Sequence, residues 1–194
     1  MPRLFLLAIG LGFLLVAGCS PQDASVPTTF TKFTATDSDF VCDAPGGWAA
    51  SGYGAGGISS GVTFKSGDGY IDVDSSQVGS FVADTMSPPG AMSALGVNTP
   101  PPVPAVEKLH ATFGKVFQKN VDGYKEGGMT AVTVPYGDSR VSEYTATDRQ
   151  GYRATILGRD RSVTVNCHCS PEQWKALAPT FLRVIGSIAA GPGK

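Results

Sequence analysis

The side chains best suited to chemistry in this 194-residue sequence are few: Cys42, Cys167 and Cys169, the histidines His110 and His168, and Ser59 within Gly57-Ile58-Ser59-Ser60-Gly61. The serine matches G-x-S-x-G, whose nucleophile must sit on a turn from a strand into a helix. Here Val62-Thr63-Phe64-Lys65 reads as strand instead, so a hydrolase using Ser59 with His110 or His168 stands only as an alternative. The three cysteines and a histidine are of the right type to hold zinc, and a C-x-C pair supplies two ligands. On a regular strand, however, His168 points away from Cys167 and Cys169. The same cysteines are disulfide candidates outside the cytosol. A bond from Cys42 to Cys167 or Cys169 would tie the first expected strand to the last and leave one thiol over. Asp68, Asp72 and Asp74 offer oxygen ligands for calcium, but not at EF-hand spacing. Their alternation with Ile71 and Val73 fits the solvated face of a hairpin. Gly52-Tyr53-Gly54-Ala55-Gly56-Gly57 matches G-x-G-x-x-G, yet a hairpin rather than a helix follows it, so Ala49 to Gly57 is expected as a glycine-rich loop. No cofactor is implied, and no set of residues is assigned a catalytic role.

Composition narrows the classes. Fifteen basic and sixteen acidic residues leave a net charge of −1, too balanced for a general nucleic-acid binder. The charge is unevenly divided: residues 19–104 carry two lysines against eight aspartates, and residues 105–194 carry twelve basic against eight acidic side chains. Glycine and proline make up 25 and 14 residues, which predicts many turns.

The N-terminus carries an address. Arg3 precedes an apolar run from Leu4 to Val16, too short for a span of about 20 residues and placed where a signal peptide belongs. Val16-Ala17-Gly18-Cys19 resembles the bacterial lipobox. The resemblance implies cleavage before Cys19 and a diacylglyceryl thioether on it, an acyl anchor of the palmitate kind inserted in membrane lipid. In diderm bacteria Ser20 at the next position favours the outer membrane. The expected location is the cell membrane or outer membrane, facing the periplasm or exterior.

The expected organisation is a signal peptide over 1–18, a flexible tether over 19–38, one domain over 39–188 and a tail over 189–194. Strands are expected at Phe40–Cys42, Ile58–Lys65 and Tyr70–Ser75, the last two joined by Ser66-Gly67-Asp68-Gly69. Six prolines between residues 87 and 104 mark a surface connection. Val106, Leu109, His110, Phe113, Val116 and Phe117 recur at helical spacing over about 104–119. A three-stranded meander follows over Asp138–Thr147, Tyr152–Leu157 and Ser162–His168. Ser170 as N-cap, Pro171 and Gln173 start a closing helix, within which Pro179 should kink or split the pattern Trp174, Leu177, Phe181, Val184, Ile185 and Ile188. Strand pairs, a helix, three strands and a helix make an α+β domain with an antiparallel sheet flanked by helices.

An aromatic strand entering Pro45-x-Gly47-Trp48, a hairpin, and a closing strand followed by Trp174 and Phe181-Leu182-Arg183-Val184-Ile185-Gly186-Ser187 resemble the PsbP-like superfamily. That fold is named for an extrinsic photosystem II subunit and occurs also in small bacterial lipoproteins and in a regulator of a nuclear-transport GTPase. The resemblance covers about residues 39–188, with departures in the proline-rich insertion and the cysteines. It implies an α/β/α sandwich with a binding role and no catalytic residues to carry over. The expected function is a membrane-anchored, non-catalytic binding or assembly module of the cell envelope, meeting an envelope protein through an edge strand or the proline-rich connection. A metal-binding role through Cys42, Cys167 and Cys169 is the other alternative.

Overall fold

A computed structural model describes residues 23–37, 39–55, 59–77 and 105–192. The expected signal peptide, Cys19 and the proline-rich insertion lie outside the described residues. The strands alternate apolar and polar side chains wherever one sheet face meets the core. In β5 (Gly69–Gln77), Ile71 and Val73 are buried and the intervening aspartates are only half-covered. β4 (Ser59–Ser66) and β9 (Arg161–Cys169) flank β5, and the spatial order β3 (Ala49–Ala55), β4, β5, β9, β8 (Gln150–Leu157), β7 (Asp138–Thr145), β6 (Lys125–Glu126) forms one seven-stranded sheet whose pairs are antiparallel. A second sheet holds β1 (Phe30–Thr34), β2 (Phe40–Pro45) and β10 (Ala189–Ala190).

Helix α1 (Val106–Asn120) packs on β7 and β8. Helix α2 (Trp174–Gly186) packs on β8, β9 and β2, so the two helices lie on opposite faces of the large sheet. The α2 face holds the core, where Phe40, Phe64, Ile71, Ile156, Leu177, Phe181 and Ile185 are fully buried. Phe33 of β1 meets Phe64 of β4 edge-on, with centroids 5.6 Å apart, and so seats the small sheet on the large one.

Four expectations change. The tether does not run to residue 38: β1 pairs with β2 along its whole length, with Phe33 packed on Phe64 and Phe30, on the other face of the strand, under the Arg183 guanidinium at 3.9 Å. Docking begins earlier still, where the Ala24 amide donates to Gln173 Oε1 (2.9 Å), Gln173 Nε2 to Asp23 (2.6 Å), and the Trp48 indole to the Ser25 carbonyl (2.9 Å). The tail contributes β10. Ala49–Ala55, expected within a glycine-rich loop, form the edge strand β3, and glycines of β3 and of its partner β4 serve close approach. A Cβ at Gly61, opposite Tyr53, would lie 2.4 Å from that ring, and one at Gly54 would lie 3.1 Å from Asp37 Oδ2. Finally, α2 begins at Trp174 and remains one helix with Pro179 on its exposed side. Ser170 does not cap it, and Gln173 holds the N-terminal segment rather than closing a capping box.

Candidate functional site

Sheet register separates the residues that G-x-S-x-G chemistry would need. Ser59 lies opposite Ser76, which lies opposite Ser162, whereas His168 lies opposite Tyr70. Six residues of strand, about 20 Å, intervene between Ser59 and His168. His110 hydrogen-bonds Thr155 on β8, three strands from β4, so it is about 14 Å from Ser59 across the sheet. The Ser59 hydroxyl therefore has neither histidine as a base. His168 stacks on Tyr70 at 4.8 Å, and burial, with Arg149 next, pushes it down to about 4.

Among the described residues the cysteines are three buried thiols with no disulfide between them. Cys167 and Cys169 share the α2 face of β9 with Val163 and Val165, while Cys42 belongs to the small sheet. Burial pushes Cys42 and Cys169 up to about 12 and Cys167 well above its ordinary value. Such thiols behave as small apolar side chains. Among the described residues no cluster of three His, Cys, Asp or Glu side chains could hold a metal ion. The aspartates engage neighbours instead: Asp72 accepts from the Thr63 hydroxyl (2.9 Å), Asp74 from the Tyr53 phenol, and Asp68 from the Ser170 amide (2.9 Å).

The densest group of polar side chains is one the sequence did not single out. Beneath α1, His110 is 1% exposed and hydrogen-bonded at both ring nitrogens, Nδ1 with Thr155 Oγ1 (3.0 Å) and Nε2 with Ser142 Oγ (2.9 Å). Arg153 Nη1 also approaches Nδ1 at 3.3 Å. A guanidinium only donates, so Nδ1 accepts and the imidazole proton sits on Nε2, directed at Ser142. In that tautomer His110 offers Ser142 no base, and Thr155, which donates to Nδ1, is fully buried and presents no nucleophile to a substrate. Arg153 is in turn neutralised by Glu126 through Nε (2.9 Å) and Nη2 (2.5 Å), and the Tyr124 hydroxyl lies 3.3 Å from Nε. Gly114 lets the helix approach this ion pair, since a Cβ there would lie 2.6 Å from Glu126 Oε2 and 3.0 Å from Arg153 Nη2. The group forms the floor of a polar cavity of about 470 Å³, with Lys115 and Lys125 among the residues lining it. The periodicity of α1 revealed His110 as an inward residue, but its partners come from β6, β7 and β8 and share no motif with it.

Burial, then the Arg153 and Arg140 guanidiniums, push His110 from 6.5 down to about 4. Between those pH values the unfolded chain binds the proton and the folded chain does not. The His110 contribution to stability is therefore full above pH 6.5 and is lost as pH falls toward 4, about 3 kcal/mol in all. Denaturant unfolding across this window should show a steeper pH slope for the wild type than for His110→Gln. Equal slopes would refute the assignment.

No family model matches the chain, and no curated protein matches it. Solved structures do. The chain is similar to the cyanobacterial PsbP (CyanoP) of Synechocystis sp. PCC 6803, with a TM-score of 0.56 and 14% identity over 84% of this chain and 92% of that one. It is also similar to LpqN of Mycobacterium tuberculosis, a protein involved in cell envelope biogenesis, with a TM-score of 0.52 and 10% identity over 84% of this chain and 91% of that one.

Proposed function

Given a chain with the PsbP-like fold, we propose that it is a lipid-anchored module of the bacterial cell envelope that acts by binding or assembly rather than by catalysis. The observation that carries the reading is Val16-Ala17-Gly18-Cys19 closing a short apolar run behind Arg3. Acylation of Cys19 would hold the domain on a bilayer, and among the described residues no helix is long and apolar enough to cross one. The likeness to LpqN, itself involved in envelope biogenesis, supports the location. The non-catalytic part is supported by the separation of Ser59 from both histidines and by the Nε2 proton of His110. An envelope protein is the proposed partner, and β3 suits it. Ala49–Gly54 are exposed, uncharged and at the edge of the seven-stranded sheet, where an extended segment can add a strand.

Growth of producing cells with a clickable palmitate analogue tests the anchor. The full-length protein should take the label and partition with membranes, and Cys19→Ala should do neither. An unlabelled wild type would overturn the anchor.

A further inference from the structure

Along α1, Lys108, Lys115 and Lys119 are spaced 7 and 11 residues from the first, which places them on one stripe of the helix, and all three are exposed. Lys125 on β6 is exposed as well. The two glutamates nearest in sequence are already engaged, Glu107 by Arg140 and Glu126 by Arg153. None of the four lysines has a carboxylate within ion-pair distance among the described residues. The surface at the C-terminal end of α1 is also concave. A second hollow of about 450 Å³, lined by Lys119, Asn120, Asp122 and Lys125, adjoins the cavity lined by Lys115 and shares Gln118, Tyr124 and Lys125 with it. Asp122 is the carboxylate there, and its Oδ2 accepts the Thr147 hydroxyl at 2.9 Å.

Register places this concavity at a particular end of the molecule. Lys125 lies opposite Thr145, Thr145 opposite Gln150, and Gln150 opposite Cys169. Cys169 follows His168, the partner of Tyr70, so this row runs out at Gly69. At Gly69 a Cβ would lie 2.8 Å from Ala24, where the docked N-terminal segment enters. The chain entry and Lys125 thus occupy the same end of the large sheet, about 19 Å apart across four strand spacings. Four residue steps separate Cys19 from the docked Asp23, a reach of at most about 14 Å.

We propose that Lys115, Lys119 and Lys125 form a contact site for anionic phospholipid headgroups, which turns this end of the sheet toward the bilayer. The orientation rests on the acylation proposed above; the headgroup contact does not. Basic residues beside an anionic surface each tighten binding about fivefold, and the contact weakens with salt. Charge complementarity selects the occupant: concave, lysine-lined ground suits phosphate-bearing headgroups.

Residues 20–194, which keep every described element and lack the acylated cysteine, provide the test by co-sedimentation with vesicles. They should bind equimolar phosphatidylglycerol and phosphatidylcholine vesicles at low salt and leave pure phosphatidylcholine unbound. The triple variant K115Q/K119Q/K125Q should weaken binding about a hundredfold with unchanged circular dichroism. Arg159→Gln, exposed in the β8–β9 turn at the opposite end of the sheet and about 23 Å along the strands from the Gln150 row, should change it no more than about twofold. Equal binding by the triple variant, or no preference for phosphatidylglycerol, would overturn the site. Displacement by inorganic phosphate at constant ionic strength would mark a small-phosphate site and likewise overturn the membrane contact. Because no acyl group is present, failure here leaves the anchor untouched, and loss of the palmitate label leaves this binding intact.

Discussion

Replacing Asp39 by alanine is expected to lower the unfolding free energy by about 3–5 kcal/mol, the loss that follows when one partner of a buried ion pair is removed. Asp39 is 1% exposed and precedes β2, while its partner Arg161, also buried, opens β9. Asp39 Oδ2 accepts from Arg161 Nη2 and from the Ser60 hydroxyl (2.9 Å), and Arg161 Nε donates to Ser75 Oγ (3.2 Å). The pair joins the small sheet to the central strands of the large one, and truncating the carboxylate strands a guanidinium away from water. Urea unfolding of the single variant gives the cost. The double variant Asp39→Ala/Arg161→Met removes both charges and should recover most of it. A loss under about 1 kcal/mol for the single variant would show that water reaches Arg161.

The second large effect is in the aromatic seam. Phe181 is fully buried on α2, edge-on to Trp48 with centroids 6.4 Å apart and tilted against Trp174 at 6.1 Å. Trp174 rests in turn on Tyr152 of β8 at 4.8 Å. Phe181→Ala opens a cavity where the entry of the chain, the helix and the sheet meet, and should cost about 3–5 kcal/mol. The neighbouring Leu182 is 40% exposed, and Leu182→Ala should stay within about 0.5 kcal/mol. Tryptophan fluorescence followed through denaturant reads both. Similar losses for the two variants would mean that α2 is not seated as described.

Elements defined by their own periodicity were legible before any coordinates. Alternation in Tyr70-Ile71-Asp72-Val73-Asp74 marked β5, Ser66-Gly67-Asp68-Gly69 marked its hairpin, and the spacing of Val106, Leu109 and His110 marked the buried side of α1. The fold class followed from their order. β1 and β3 were not legible, because Phe30-Thr31-Lys32-Phe33-Thr34 is mostly polar and Ala49–Ala55 is mostly small. Each becomes a strand only through the partner beside it and the packing of Phe33 on Phe64 or Tyr53 over Gly61.

The sequence by itself determined the alternation of strands and helices and the absence of a matching catalytic motif context around Ser59. Tertiary structure alone decided that His110 meets Ser142, Arg153 and Glu126, that Asp39 meets Arg161 across 122 residues of chain, and that Lys125 and Ala24 share one end of the sheet. The physical reason is common to all three. Period and turn chemistry act over a few residues, whereas strand order and register bring together side chains between which the chain carries no local signal.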